Sequence, residues 1–545
     1  MFYKIFSDNN HEINPFYSNC KSETHRIHKE TYTICGEIKL FEREKILKEL
    51  NIIDNSSDLY LVLILYITKG KDSILDLYGD FAFIIFNKNT NQLFFTRDLT
   101  SNNKIFYYFN NPILIISTNL NRILNDKHFQ KKLNENKLFS DITNIGIKTN
   151  ETYYKNTYFL KRREYAIFKN KKLSIKQNYQ IPSQKIQFST KEQYFEAFNE
   201  IFNNSIVKRL NYNDKIGIML SGGLDSTSTA YQITNSFPNK IINTYTHIPK
   251  YETFSKHRTN NEAKLVKKFL NFHNNFNSQF IITEDNKILK SIQEALIIHP
   301  EPIRNAINLH WLLDINDVAK KDKINVLINT QKGNEIISWP SFFYFNNFIK
   351  KDNSAKSKVK DILKFLKLFY LYYNARNKYK YSKIINSSSI ISKYTKENCN
   401  NIINDTTIFK DTFNNYRENS IFNENTNTFD SSFIIKRLDL SMDIKLIEFL
   451  YNIPQYFHSD INNSFIKQYL VYTNKIPNSI IYNNKKGLQS SDIKTKLFKE
   501  KNNIINIINS LENNKLVNMY YQIKNINIYN ITLKDLQKII FLSKF

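Results

Sequence analysis

The stretch KIGIMLSGGLDSTSTAYQI, residues 215–233, limits what this 545-residue chain can fold into more than any other. An apolar run of strand length ends at Ser221, two glycines follow, and a helix-forming segment begins at once. Strand, glycine turn and helix in that order make a cradle for a phosphate. Glycine lets the backbone come close to an anion, and the free N–H groups and positive end of the helix dipole face it. Ser221, Gly222, Gly223, Leu224, Asp225 and Ser226 are the expected phosphate-binding residues, with the two serines as additional hydroxyl donors. Asp225 is discordant, because a carboxylate beside a phosphate is repulsive unless a cation lies between them. A bound Mg²⁺ resolves the conflict. Helix capping alone accounts for one polar residue, not for two glycines, two serines and an aspartate together. The segment TKGKDS at 68–73 imitates the end of a Walker A loop, but Leu65 stands where its first glycine belongs.

The surroundings of this motif divide the chain in two. Up to about residue 187, short apolar runs alternate with polar turns, and FAFIIF and QLFFTR flank NKNTN as the arms of a hairpin would. One helix is expected near SDLYLVLILYITKG. From 188 to 545 the pattern becomes helical segments between isolated apolar strands, IGIMLS (216–221), IINTYTHI (241–248) and INVLINT (324–330). Helix-length connections between strands imply right-handed crossovers and a parallel sheet, and beyond 340 the chain reads as helical. The expected fold is thus α+β followed by α/β, with domains at 1–187 and 188–545. The segment 365–383 interleaves basic and aromatic residues, and reads as an amphipathic helix covering its own core rather than a grip for peptide, RNA or membrane.

Composition excludes several classes. A formal charge of +27 suggests nucleic acid, but Lys, Asn, Ile, Tyr and Phe are enriched together along the whole chain, so coding bias explains it and nucleic acid is not expected. Cys20, Cys35 and Cys399 are too few and too scattered for a disulfide framework or a zinc cluster. With no signal-like start and a longest apolar run, 59–67, too short to span a bilayer, a cytoplasmic protein without a transmembrane segment is expected.

The SGGLDS turn after an apolar strand resembles the pyrophosphate-binding loop of the ATP-pyrophosphatase superfamily. CGEIKLF, the block from SDLYLVLILYI to NKIFYY, and NETYYKNTYFLKRREYAIFKNKKLSIKQNYQIP are similar to successive blocks of the glutaminase-type domain of asparagine synthetases. EPIRNAINLHWLLDINDVAKKDKINVLINTQKGNEIISW, RLDLSMDIKLIEFLYNIPQYF and NNKKGLQSSDI resemble blocks of their synthetase domain. The resemblance implies an N-terminal-nucleophile-hydrolase-like sandwich joined to an ATP-pyrophosphatase parallel-sheet domain with a helical C-terminal part. It also implies an ATP- and Mg²⁺-dependent ligase that adenylates a carboxylate and passes it to an amine.

The departures from that family carry information. Phe2 follows Met1 where the glutamine-using members have a cysteine, so no glutaminase activity is expected. Gln331 stands where the family has a glutamate associated with amide formation, and Asn334 replaces an aspartate near magnesium. QKGNEIISW, LDLSMD and KGLQSSD look more like the asparagine-synthetase-like cyclases of lasso-peptide clusters, with a peptide or small carboxylate as substrate. A leader-peptide-binding protein or a protease is a conceivable partner in such a cluster. By this similarity Asp225 and Asn334 would hold Mg²⁺, Lys485 or Lys486 would offset developing charge, and Gln331 and Glu335 would position the amine. His299 and His310 read as packing or capping residues. The competing readings are an ammonia-dependent asparagine synthetase and a catalytically inactive nucleotide-binding scaffold.

Overall fold

The computed structural model describes residues 2–5, 21–27, 29–53, 55–100, 103–143, 150–162, 164–177, 179, 181–182, 184–303, 305–338, 382, 385–404, 435–458, 464–483 and 485–545. The basic and aromatic segment 365–383 lies outside them, apart from Ser382.

Among the described residues, ten strands build the N-terminal part: β1 (Phe2–Ile5), β2 (Lys21–Ile27), β3 (Glu30–Leu40), β4 (Gly79–Asn87), β5 (Gln92–Arg97), β6 (Phe106–Asn110), β7 (Ile113–Ser117), β8 (Thr157–Phe159), β9 (Glu164–Lys169) and β10 (Lys172–Gln177). They form a four-stranded sheet, β1-β7-β6-β8, and a six-stranded sheet, β10-β9-β5-β4-β3-β2, with every described pairing antiparallel. The expected hairpin is present, with Ala82 opposite Arg97 and Asn87 opposite Gln92.

Period-two alternation decides which layer each side chain enters. In β4, Ala82, Ile84 and Phe86 meet Tyr107, Leu114 and Ile116 of the other sheet, while Phe83 and Ile85 face helix Asp58–Lys69. In the four-stranded sheet, Phe106, Tyr108 and Ile115 pack on the opposite side against Ile292, Ile539 and Phe541. The central strands of each sheet are therefore buried on both faces, while the edge strands β2 and β10 are largely exposed. One outer layer comes from local helices and the other from the C-terminal part, so the two halves share a core.

Seven further strands follow among the described residues: β11 (Ile216–Met219), β12 (Ile242–Ile248), β13 (Arg258–Thr259), β14 (Phe276–Ile282), β15 (Val326–Asn329), β16 (Lys436–Asp439) and β17 (Lys486–Gly487). Five of them make a parallel sheet in the order β14-β12-β11-β15-β16. Three were legible as apolar runs; β14 and β16 are additions. Helix Lys191–Arg209, opened by a capping box at Thr190 and Gln193, leads the chain into this sheet.

The order of the strands positions the site. From β11 the chain moves outward through β12 to β14, then returns to the other side of β11 for β15 and β16. The loops after β11 and β15 thus diverge over a crevice at the carboxyl edge of the sheet, where ligands of open α/β sheets bind.

Candidate nucleotide and acyl-transfer site

Gly223 ends the turn after β11 in extended conformation and is the N-cap of helix Leu224–Ser236, so Asp225 sits in the helix's first turn. Leu224 opens the helix and packs toward the core rather than the cleft. The serines do something other than point outward. Ser226 Oγ donates to the carbonyl of Ser221 at 2.9 Å and accepts from the Ser221 N–H at 3.1 Å, and the two hydroxyls lie 2.9 Å apart. Ser221 Oγ accepts from the Gly223 N–H at 3.2 Å. These bonds shape the turn, with the hydroxyls bonded inside the loop.

Asp225 is half-buried, and its Oδ1 is shut away from solvent with no hydrogen-bond partner. Burial pushes its carboxyl up to about 7, with the charge of Asp439 adding to the rise and a hydrogen bond from Ser338 opposing it. Asp439 ends β16 and was not anticipated as a site residue. Its carboxylate accepts from the Lys332 N–H at 2.8 Å, from the Ser441 N–H at 3.1 Å and from the Ser441 hydroxyl. A carboxyl with a buried orphan oxygen, raised by the charge of a second carboxylate, fits a bound cation.

The loop after β15 runs against Asp225. Gly333 leaves no space for a side chain: a Cβ there would stand 2.5 Å from the Asp225 Cβ. Asn334 begins a short π-helical turn, Asn334–Ser338, and lines the cleft together with Gln331. Glu335 is half exposed and pairs with Lys332 at 2.5 Å, so it is already engaged by a cation.

The lysine–glycine loop arrives beside the turn from elsewhere in the chain. β17 pairs in parallel with β13, Lys486 opposite Arg258 and Gly487 opposite Thr259, and this carries exposed Lys485 with it. Glu262 follows β13, and a Cβ at Gly487 would stand 2.7 Å from its Oε1. The same carboxyl accepts the N–H of Gly222, and burial pushes it up to about 7. Glu262 thus ties the two loops together. Sequence reading missed it because a lone glutamate before a helix has no local signature.

A cleft of about 970 Å³ opens over these loops. Ser221, Gly223, Asp225, Ser226, Asn329, Thr330, Gln331, Asn334 and Arg437 form one end. The other end is largely aliphatic, with Ile303, Ile307, Leu309, Leu312, Ile493 and Ile531 among its walls, and Asn305, Asn308, Gln489 and Lys534 as polar members. Asp225 is the only carboxylate among the described lining residues. Of the expected packing histidines, His310 is buried beside the cleft-lining Trp311, and His299 is buried 3.5 Å from Glu301. Among the described residues no helix is long and apolar enough to cross a membrane.

Comparison with known proteins accords with this geometry. Residues 15–180 match a glutamine amidotransferase domain and residues 197–406 match asparagine synthase. A glutamine-hydrolyzing asparagine synthetase described in Methanocaldococcus jannaschii is 29% identical over 206 residues, 37% of this chain and 38% of the relative. Asparagine synthetase 2 of Bacillus subtilis is 22% identical over 214 residues, 36% of this chain and 28% of the relative. Asparagine synthetase 3 of the same organism is 22% identical over 286 residues, 50% of this chain and 46% of the relative. The chain therefore spans less than half the length of each of these relatives.

Proposed function

We propose, from the chain's place in the asparagine synthetase family, that it is an ATP-dependent ligase that adenylates a carboxylate and transfers the acyl group to an amine. The observation that carries the proposal is Asp225: a half-buried carboxyl with a buried orphan oxygen, in the first turn of the helix that follows a glycine-bearing loop, beside a second carboxylate. Asp225, with the amide oxygen of Asn334, would hold Mg²⁺, which supplies charge neutralisation to the phosphates when bound. The backbone at Gly222 and Gly223 would receive the pyrophosphate. A substrate carboxylate oxygen attacks the α-phosphorus, the bond to pyrophosphate breaks, and an amine then displaces AMP from the acyl carbon. Lys485 or Lys486 would offset the charge that develops, an effect of a few kcal/mol in a preorganised site.

Calorimetric titration of α,β-methylene-ATP with Mg²⁺ tests this. Binding to wild type that weakens at least tenfold in Asp225→Ala is the expected result. A folded wild type that binds no nucleotide would overturn the ligase reading, and the nucleotide-binding scaffold with it.

The aliphatic end of the cleft favours a substrate larger and less charged than aspartate. A free amino acid needs an anionic partner for its ammonium group, and the far wall offers amides, aliphatic carbons and the Lys534 ammonium instead. A peptide carboxylate, as in modified-peptide biosynthesis of the lasso type, fits that lining, and Gln331 would position the amine. Incubation with aspartate, ammonia and MgATP should then yield no asparagine; asparagine as product would replace this reading with the ammonia-dependent synthetase.

The ligase is proposed to work without hydrolysing glutamine. Of the cysteines among the described residues, Cys35 and Cys399 are both buried, and burial pushes the Cys399 thiol up to about 12. Glutamate release from glutamine should stay at background; turnover would refute this part.

A further inference from the structure

The five residues Asp439–Asp443 touch the cleft loop at one end and the amidotransferase-type domain at the other. At the cleft end, Asp439 holds the Lys332 N–H at 2.8 Å. At the far end, Asp443 is fully buried and caps helix Ile444–Asn452, its Oδ1 accepting the Leu446 N–H at 3.1 Å. Its Oδ2 accepts from the Tyr78 hydroxyl at 2.8 Å and from the guanidinium of Arg209. Tyr78 belongs to the segment matched as the amidotransferase domain. Arg209 is fastened to that domain as well: Nη2 donates to Thr100 Oγ1 at 3.2 Å, Nε lies 3.6 Å from Asp80, and the guanidinium covers the Phe41 ring at 4.8 Å.

The residues between the two aspartates are not slack. Ser441 and Met442 are buried, Ser441 is bonded to Asp439 through its backbone and hydroxyl, and the Met442 N–H donates to the Asp439 carbonyl at 3.1 Å. A segment so tied moves as a unit, so a displacement of Asp443 is delivered to Asp439 and then to the backbone of Lys332.

We propose that Tyr78, Arg209 and Asp443 are positioning residues through which the amidotransferase-type domain holds the Gln331–Asn334 loop at the cleft. The domain is then a structural part of the ligase site, whatever becomes of glutamine hydrolysis. The consequence for nucleotide binding rests on the ATP-dependent reading above; the mechanical coupling does not.

Hydrogen–deuterium exchange on the ligand-free full chain separates the two. In Tyr78→Phe, which removes one hydroxyl, and in Asp443→Asn, the Lys332 amide should exchange several-fold faster, while the amides of β12 keep their wild-type rates. Glu42→Gln breaks a different contact across the same boundary, the exposed pair with Lys445 at 2.9 Å, and should leave the Lys332 amide unchanged. Faster exchange at Leu446 with none at Lys332 would overturn the proposal, as would an equal effect of Glu42→Gln. If Asp443→Asn does not fold, Tyr78→Phe alone decides. Affinity for α,β-methylene-ATP with Mg²⁺ should fall about three- to tenfold in Tyr78→Phe and hold in Glu42→Gln. Because exchange is read without nucleotide, failure of the ATP reading and failure of the coupling give different patterns.

Discussion

Gly333 is packed so closely on Asp225 that a methyl group at position 333 would stand 2.5 Å from the Asp225 Cβ and 2.7 Å from its Cγ. Two loops distant in sequence meet there, one after β11 and one after β15. Gly333→Ala should therefore force one of them away, at a cost of about 1–3 kcal/mol. Asp225 is fixed in the first turn of its helix, so the 331–334 loop is the part that yields. The expected outcome is a loss of Mg²⁺-nucleotide affinity of tenfold or more with little change in the thermal midpoint, read by calorimetry and by melting. Unchanged affinity would mean that the glycine serves its turn alone.

The raised carboxyl of Asp225 makes binding depend on pH. Its folded value, about 7, lies above the ordinary 3.8, so the stability this group contributes is full below about 3.8 and is lost as pH rises toward 7. Cation binding requires the charged form, and therefore releases a proton below pH 7. Affinity for α,β-methylene-ATP with Mg²⁺ should rise with pH, by up to about tenfold per unit below 7, and level off above it. Asp225→Asn should bind weakly and without that slope; a slope that survives would assign the proton to another group, Glu262 being the first to examine.

The signal for the turn was local, and local signals were readable. SGGLDS, the hairpin of β4 and β5, and the apolar strands β11, β12 and β15 each declare themselves within a single continuous stretch of the chain. β14 is obscured because FNSQFII mixes polar residues into a partly exposed edge strand, and β16 because KRLD holds a single apolar residue among three charged ones. Asp439 lay within the quoted RLDLSMD, yet its role depends on β16 pairing beside β15, a contact between positions more than one hundred residues apart. Glu262 depends in the same way on β13 meeting β17. Ser226 reads in the sequence as a hydroxyl donor to phosphate; in the structure that hydroxyl is bonded to the Ser221 carbonyl, because a serine hydroxyl also satisfies nearby backbone groups.

Arg209 carries the only guanidinium described against Asp443, with Asp80 at 3.6 Å as a second acid. Burial raises the Asp80 carboxyl, whereas at Asp443 burial is outweighed by the charge of Arg209 together with the hydrogen bonds from Arg209, Tyr78 and the Leu446 N–H, which hold the carboxyl below its usual value. Arg209→Met would leave Asp443 charged and buried without its partner, a change that typically costs about 3–5 kcal/mol. The thermal midpoint should fall by several degrees or the chain should fail to accumulate. Arg209→Met combined with Asp443→Leu should recover part of the loss, because the uncompensated charge is gone. Equal stability of the single and double variants would show that packing of the arginine stem, not charge, is what matters.

Acid should act first on the histidines beside the cleft. His247 stacks on Trp311 at 5.3 Å, and His310 lies 6.0 Å from His247. The buried pair Lys496–Asp492, at 3.1 Å, faces both rings, and Asp314 also acts on His247. Burial, reinforced by the Lys496 charge, pushes His247 down to about 4 and His310 down to about 3. Both stay neutral in the folded chain while their unfolded counterparts take up protons below about 6.5, so stability is full above that value and falls as pH drops toward 4. His310, nearly inaccessible, should contribute a slope approaching about 1.4 kcal/mol per pH unit. His310→Gln should flatten the decline of the thermal midpoint between pH 6.5 and 5 relative to wild type. Parallel declines in the two proteins would place the acid sensitivity elsewhere.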